Sequence, residues 1–170
     1  MSLTSREFWT VVHGLLLGSI YLLAFAGGFA GLWSLRKEYV TEQGMVERLR
    51  RLNIGMWIMT IVVWLTAIVG TYVVYPWYRA KLPDSPRSML LADPNTAAWH
   101  SFGMEWKEHV AWLAPILATA VLFIVLRYGR QLAQDNELRR AVITLFSLAF
   151  IAAAVAGIFG AFITKAAPLM

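Results

Sequence analysis

Four stretches of this chain carry no Asp, Glu, Lys or Arg: about 8–35, 54–78, 110–126 and 141–163. Crossing the hydrocarbon layer of a bilayer takes roughly 20 apolar residues in a helix. Lipid offers no partner to a bare N–H or C=O, so a span must be a helix or a strand of a closed barrel. These lengths select helix. The expected fold is an all-α integral membrane protein, a bundle of four transmembrane helices forming a single membrane domain over residues 1–170. With 59% hydrophobic and 15% charged residues, a chain this short has no water-soluble core large enough to hide its apolar runs. Arg6 and Glu7 form a balanced pair ahead of a first run longer than the core of a signal peptide, so the first span is expected to be retained.

The lipid bilayer is thus the first partner. The formal net charge of +5 fits loops facing anionic lipid, and no nucleic-acid partner is expected. The chain has no cysteine, which excludes disulfides, thiolate metal sites, iron–sulfur clusters and covalent c-type haem attachment. Orientation follows from the loops. The first holds Arg36, Lys37, Arg48, Arg50 and Arg51; the third holds Arg127, Arg130, Arg139 and Arg140. Four spans put these loops on one side, which the positive-inside rule makes cytoplasmic. Both termini and the second loop, 79–109, then face outward.

That second loop carries its own pattern. Residues 79–92, with Pro83 and Pro86, read as irregular. Asp93-Pro94 reads as an N-cap with proline at the first helical position. Trp99, Phe102, Trp106, His109 and Leu113 then recur at helical spacing. The expectation is a short interfacial helix, about 94–108, running into the third span with a bend at Gly103 or Pro115. Small residues four apart, Gly14 and Gly18 in the first span and Ala153, Gly157 and Ala161 in the fourth, suit close packing on a neighbouring helix or a flat cofactor.

The three histidines, His13, His100 and His109, all fall toward the outward side. An ionisable side chain within a span is costly and marks a functional candidate. One reading makes His13 and His109 the axial ligands of a b-type haem, with Gly14, Gly18 and Trp106 in its pocket. Histidines that bond headgroups or carbonyls at the interface are the plainer alternative. With no histidine in the second or fourth span, and Met56 and Met59 not supplying a usual pair, any haem is single and on the outer side. A second reading is a metal site from His13, Glu105 and His109, a set suited to iron, copper or zinc. His100 and His109, nine apart, fall on opposite faces of a continuous helix. A third is a quinol or proton-handling pocket of Glu105, Glu108 and Tyr75 beside Tyr72, Trp77 and Tyr78. Its plain alternative is an aromatic belt with Arg79 and Lys81 snorkelling and the two glutamates solvated. No catalytic motif occurs.

The stretch Phe8-Trp9-Thr10-Val11-Val12-His13-Gly14, together with four spans, resembles the four-helix b-type cytochromes of bacterial membranes, the cytochrome b561-like group. The resemblance rests on span count and His13, and implies an early haem ligand in the first helix. The histidine usual in that family's second helix has no counterpart here. The expected function is a membrane subunit of a respiratory or photosynthetic electron-transfer complex in the bacterial inner membrane, alongside other membrane subunits. It would bind one haem b or border a quinol site at the outer face. The alternatives are a non-catalytic accessory subunit and a copper-, iron- or zinc-handling membrane protein.

Overall fold

The computed structural model describes residues 3–37 and 41–168. Among them all regular structure is helical, and four helices are long and apolar enough to cross a membrane. These are α1 (Ser5–Ser34), α2 (Glu42–Tyr78), α4 (Trp99–Gln134) and α5 (Asn136–Ala166). A short helix, α3 (Pro86–Ala92), lies between α2 and α4. The pattern is that of a multi-pass membrane protein. Large apolar side chains such as Leu15, Leu23, Ile61, Phe123, Ile151 and Ile158 face outward. That surface suits lipid and would be costly in water.

The helices run past the apolar stretches because their ends are capped by polar residues. Thr4 and Glu7 form a reciprocal capping box: the Thr4 N–H donates to the Glu7 carboxylate at 2.7 Å, and the Glu7 N–H to Thr4 Oγ1 at 3.2 Å. Arg48 donates to the Ser34 carbonyl at 3.0 Å, satisfying an end of α1. The third charged loop shrinks to one residue. Asp135 caps α5 by accepting from the Glu137 and Leu138 N–H groups, each at 2.9 Å. Arg139, expected in a solvated loop, is buried there and donates to the Leu132 carbonyl at 2.9 Å and to Asn136.

The second loop differs most from expectation. Residues 86–92 are helical, not irregular: Ser85 caps α3 and Pro86 occupies its first turn. Asp93 closes that helix and accepts the Asn95 N–H at 2.9 Å in a turn. α4 follows that turn, so the interfacial segment and third span make one candidate membrane helix, Trp99–Gln134. It breaks at a turn over residues 111–112. Pro115 explains the break, since it has no N–H for the Ala111 carbonyl four residues back.

The chain divides into two compact units: Met1–Ser19, Leu65–Trp112 and Ala152–Met170 in the first; Ile20–Trp64 and Leu113–Ile151 in the second. The second is mostly apolar. Leu32, Met56, Met59, Val121, Val125 and Phe146 are almost completely buried in it. Phe25 stacks on Phe150 and Phe146, with centroids 3.8 and 5.0 Å apart. Gly28 lies directly under Phe146 and Met56, and Gly31 under Leu52, so two of the small residues do allow close approach. Gly14, Gly18, Gly27 and Gly157 have open space where a side chain would begin.

The first unit buries Tyr78, Leu90, Met104, Ile163 and Ala167 together, with Tyr75, Met89 and Trp99 against them. Leu90, with Met89 beside it, ties α3 to this core. The first unit also holds every residue with candidate chemistry.

Candidate functional site

Four π-helical turns occur in the first unit: Val12–Leu16, Gly70–Val74, Trp99–Met104 and Trp106–Val110. Each histidine sits in one of them. A π turn closes i→i+5 bonds, widening the helix by one residue, and such turns concentrate at functional sites. Pro76 accounts for the second: it withholds the N–H that Tyr72 would use, and the Tyr75 N–H bonds back to Gly70 instead.

His13 is half-buried, with the Cε1 corner of its ring turned to α2. A Cβ built on Gly70 would stand 2.6 Å from His13 Cε1 and 3.3 Å from either ring nitrogen. The Thr66 backbone is a polar neighbour of the ring, and the charge felt there is that of Lys107. Its Nδ1 is buried without a partner. Lys107 Nζ donates to the Ala156 carbonyl of α5 at 3.1 Å and sits 3.0 Å from where a Cβ on Gly160 would be.

His109 is turned elsewhere. Its side chain is 71% exposed, and Nδ1 bonds the Glu105 carbonyl at 3.0 Å. Side chains two residues apart on a helix diverge, so with Lys107 turned inward, His109 points away. His13 and His109, the two axial-ligand candidates, thus stand in different surroundings, one half-buried and one exposed. Of the other pocket candidates, Gly14 is exposed and Gly18 half-buried, while the Trp106 indole N–H points to the Ala152 carbonyl at 3.5 Å with its ring edge-on to Phe159.

For a metal, Glu105 and His109 do share a face, 3.4 Å apart, as their spacing requires. No group of three or more His, Asp or Glu among the described residues is placed to hold an ion. His100 lies in different surroundings: it is buried, and its Nδ1 shares a 2.8 Å hydrogen bond with the Tyr78 hydroxyl.

The quinol candidates are gathered. Arg79 Nη2 donates to both oxygens of Glu108, at 2.9 and 2.8 Å. The same nitrogen stands 3.9 Å from Glu105. The Arg79 guanidinium lies over the Tyr75 ring at 5.2 Å, and the Tyr75 hydroxyl is turned to Glu108. Tyr75 stacks beside Tyr78, whose hydroxyl reaches His100. Hydrogen bonding to Glu108 pushes the Arg79 pKa above its ordinary value, so the cation is permanent. Arg79 was expected to snorkel and Glu108 to be solvated. Instead they hold each other, and the Glu108 side chain is only 16% exposed.

Three features escaped the sequence: the inward turn of Lys107, the Tyr78–His100 bond and the Arg79–Glu108 pair. The only signal for the first was Gly160, the small residue that makes room for the ammonium. Comparison of the chain with protein-family models, curated proteins and solved structures gives no match.

Proposed function

We propose that this chain is a membrane subunit of an electron-transfer assembly whose polar cluster borders a quinol site at the outer face. What carries the proposal is the gathering of Tyr75, Glu105 and Glu108 around Arg79. A quinol hydroxyl needs an acceptor that can take its proton as the ring is oxidised, and a carboxylate does this well. Glu105 is the looser of the two acids, 47% exposed and 3.9 Å from Arg79, and serves as acceptor with a route to water. Arg79 fixes Glu108, which with the Tyr75 ring shapes the wall. Electrons would leave to a redox group in a partner subunit. The axial-haem reading has less support here, because His13 and His109 do not share a buried space.

Titration of the purified chain with a short-chain ubiquinol analogue, followed by tryptophan fluorescence, tests this. Saturable quenching is expected, with Glu105→Gln and Glu108→Gln each weakening affinity about tenfold, the worth of one good polar contact. No saturable quenching, or affinity unchanged in both variants, would sink the proposal. A Soret band in the purified protein would return the haem reading to first place.

A further inference from the structure

A cavity of about 350 Å³ lies between α1 and α2 in the second unit, and no residue of the quinol reading lines it. Ser34 meets Arg48, Gly31 meets Leu52 and Gly28 meets Met56, so the two helices run antiparallel along it. The cavity thus has a basic end, where Arg48 and Arg51 line it beside the last turn of α1, and a run of small residues beyond. The exposed Trp33 stands at the basic end, the depth that tryptophan takes at a membrane interface.

Helix packing accounts for only some of those small residues. A Cβ on Gly28 would meet Phe146 and Met56, and one on Gly31 would meet Leu52. A Cβ on Gly27 or Gly55, both lining the cavity, would meet no neighbouring atom within 4 Å. The two arginines also have donors left over, since a guanidinium carries five. Arg48 gives Nη1 to the Ser34 carbonyl at 3.0 Å and joins no ion pair among the described residues. Arg51 meets Glu47 through Nε at 2.6 Å, which leaves its two Nη groups. Being three residues apart on one helix, the two side chains share a face.

We propose that this groove binds a phospholipid with an anionic headgroup, its phosphate held by Arg48 and Arg51 and one acyl chain laid along Gly55 and Gly27. An occupant must be negative at the interface and apolar farther in, and basic pockets between membrane helices take such headgroups. Arginine forks suit phosphate oxygens. A second copy of the chain is a poorer match. Copies in one membrane share an orientation, so a twofold across the groove would set Arg48 and Arg51 against their own counterparts at one depth.

Purified full-length chain in dodecyl maltoside is titrated with dioleoyl-phosphatidylglycerol and, separately, with dioleoyl-phosphatidylcholine, and thermal unfolding is read. The anionic lipid is expected to raise Tm saturably, with the zwitterionic lipid acting about fivefold more weakly or less. Arg48→Gln and Arg51→Gln should each weaken the response about fivefold, the worth of one basic side chain near an anionic headgroup. Gly55→Leu, which fills the cavity and keeps both arginines, should abolish it, and the exposed Arg140→Gln should leave it intact. If Gly55→Leu fails to fold, the exposed arginine variants decide alone. Equal responses to the two lipids, or an unchanged response when Arg48→Gln and Arg51→Gln are combined, overturns the proposal. So does an equal rise with inorganic phosphate alone, which needs no groove. A wild-type dimer that Gly55→Leu turns into a monomer overturns it too, by making a second copy the occupant.

Discussion

At position 70 a hydrogen takes the place of a side chain, and an imidazole fills the space. An alanine Cβ there would come 2.6 Å from His13 Cε1, closer than carbon atoms approach without displacement. Gly70→Ala is expected to destabilise the protein by about 1–3 kcal/mol, the usual cost of overfilling a packed site. Adding His13→Ala should remove most of that penalty. The double variant would then be more stable than the sum of the singles by about 1 kcal/mol or more. Unfolding in detergent measures the cycle, and strict additivity would mean that the His13 ring does not sit on Gly70. Gly28, under Phe146 and Met56, is the corresponding close approach in the second unit.

Among the elements, α3 is the one that depends on fewest residues. Ser85 and Pro86 start it, and Leu90 alone among its large side chains is almost fully buried. Leu90→Ala should cost about 2–4 kcal/mol of local stability. Limited proteolysis would show this as faster cleavage between residues 79 and 98, while the membrane helices stay protected. Equal cleavage rates would mean that α3 is held by something other than Leu90. The Ser-Pro start is legible in the sequence by the same rule applied to Asp93-Pro94, although Pro83 and Pro86 by themselves read as breakers. The four spans were legible because lipid enforces a length and a composition at once. The Arg79–Glu108 pair was not, since residues 29 apart, one just past the end of α2 and the other in α4, meet only through tertiary packing. The inward turn of Lys107 was hidden for a related reason. A π turn shifts the phase of every later residue, so a regular helical wheel drawn over 99–110 assigns faces incorrectly.

For the molecule as a whole, orientation is the property its charges foretell. The basic residues around residues 36–51 and 127–140 favour the cytoplasmic side for the α1–α2 and α4–α5 connections. The α2–α4 connection, which carries Arg79 and α3, is then expected to face outward, as are both termini. The absence of cysteine gives a clean background for single-cysteine labelling. Asp84 and Gln134 are both exposed, and α4 runs between them. In intact cells a membrane-impermeant maleimide should label Asp84→Cys, and should reach Gln134→Cys only after permeabilisation. The opposite pattern would invert the chain and move the Arg79–Glu108 cluster, the proposed quinol site, to the cytoplasmic face. Labelling of both sites from one side would mean that α4 does not cross the membrane.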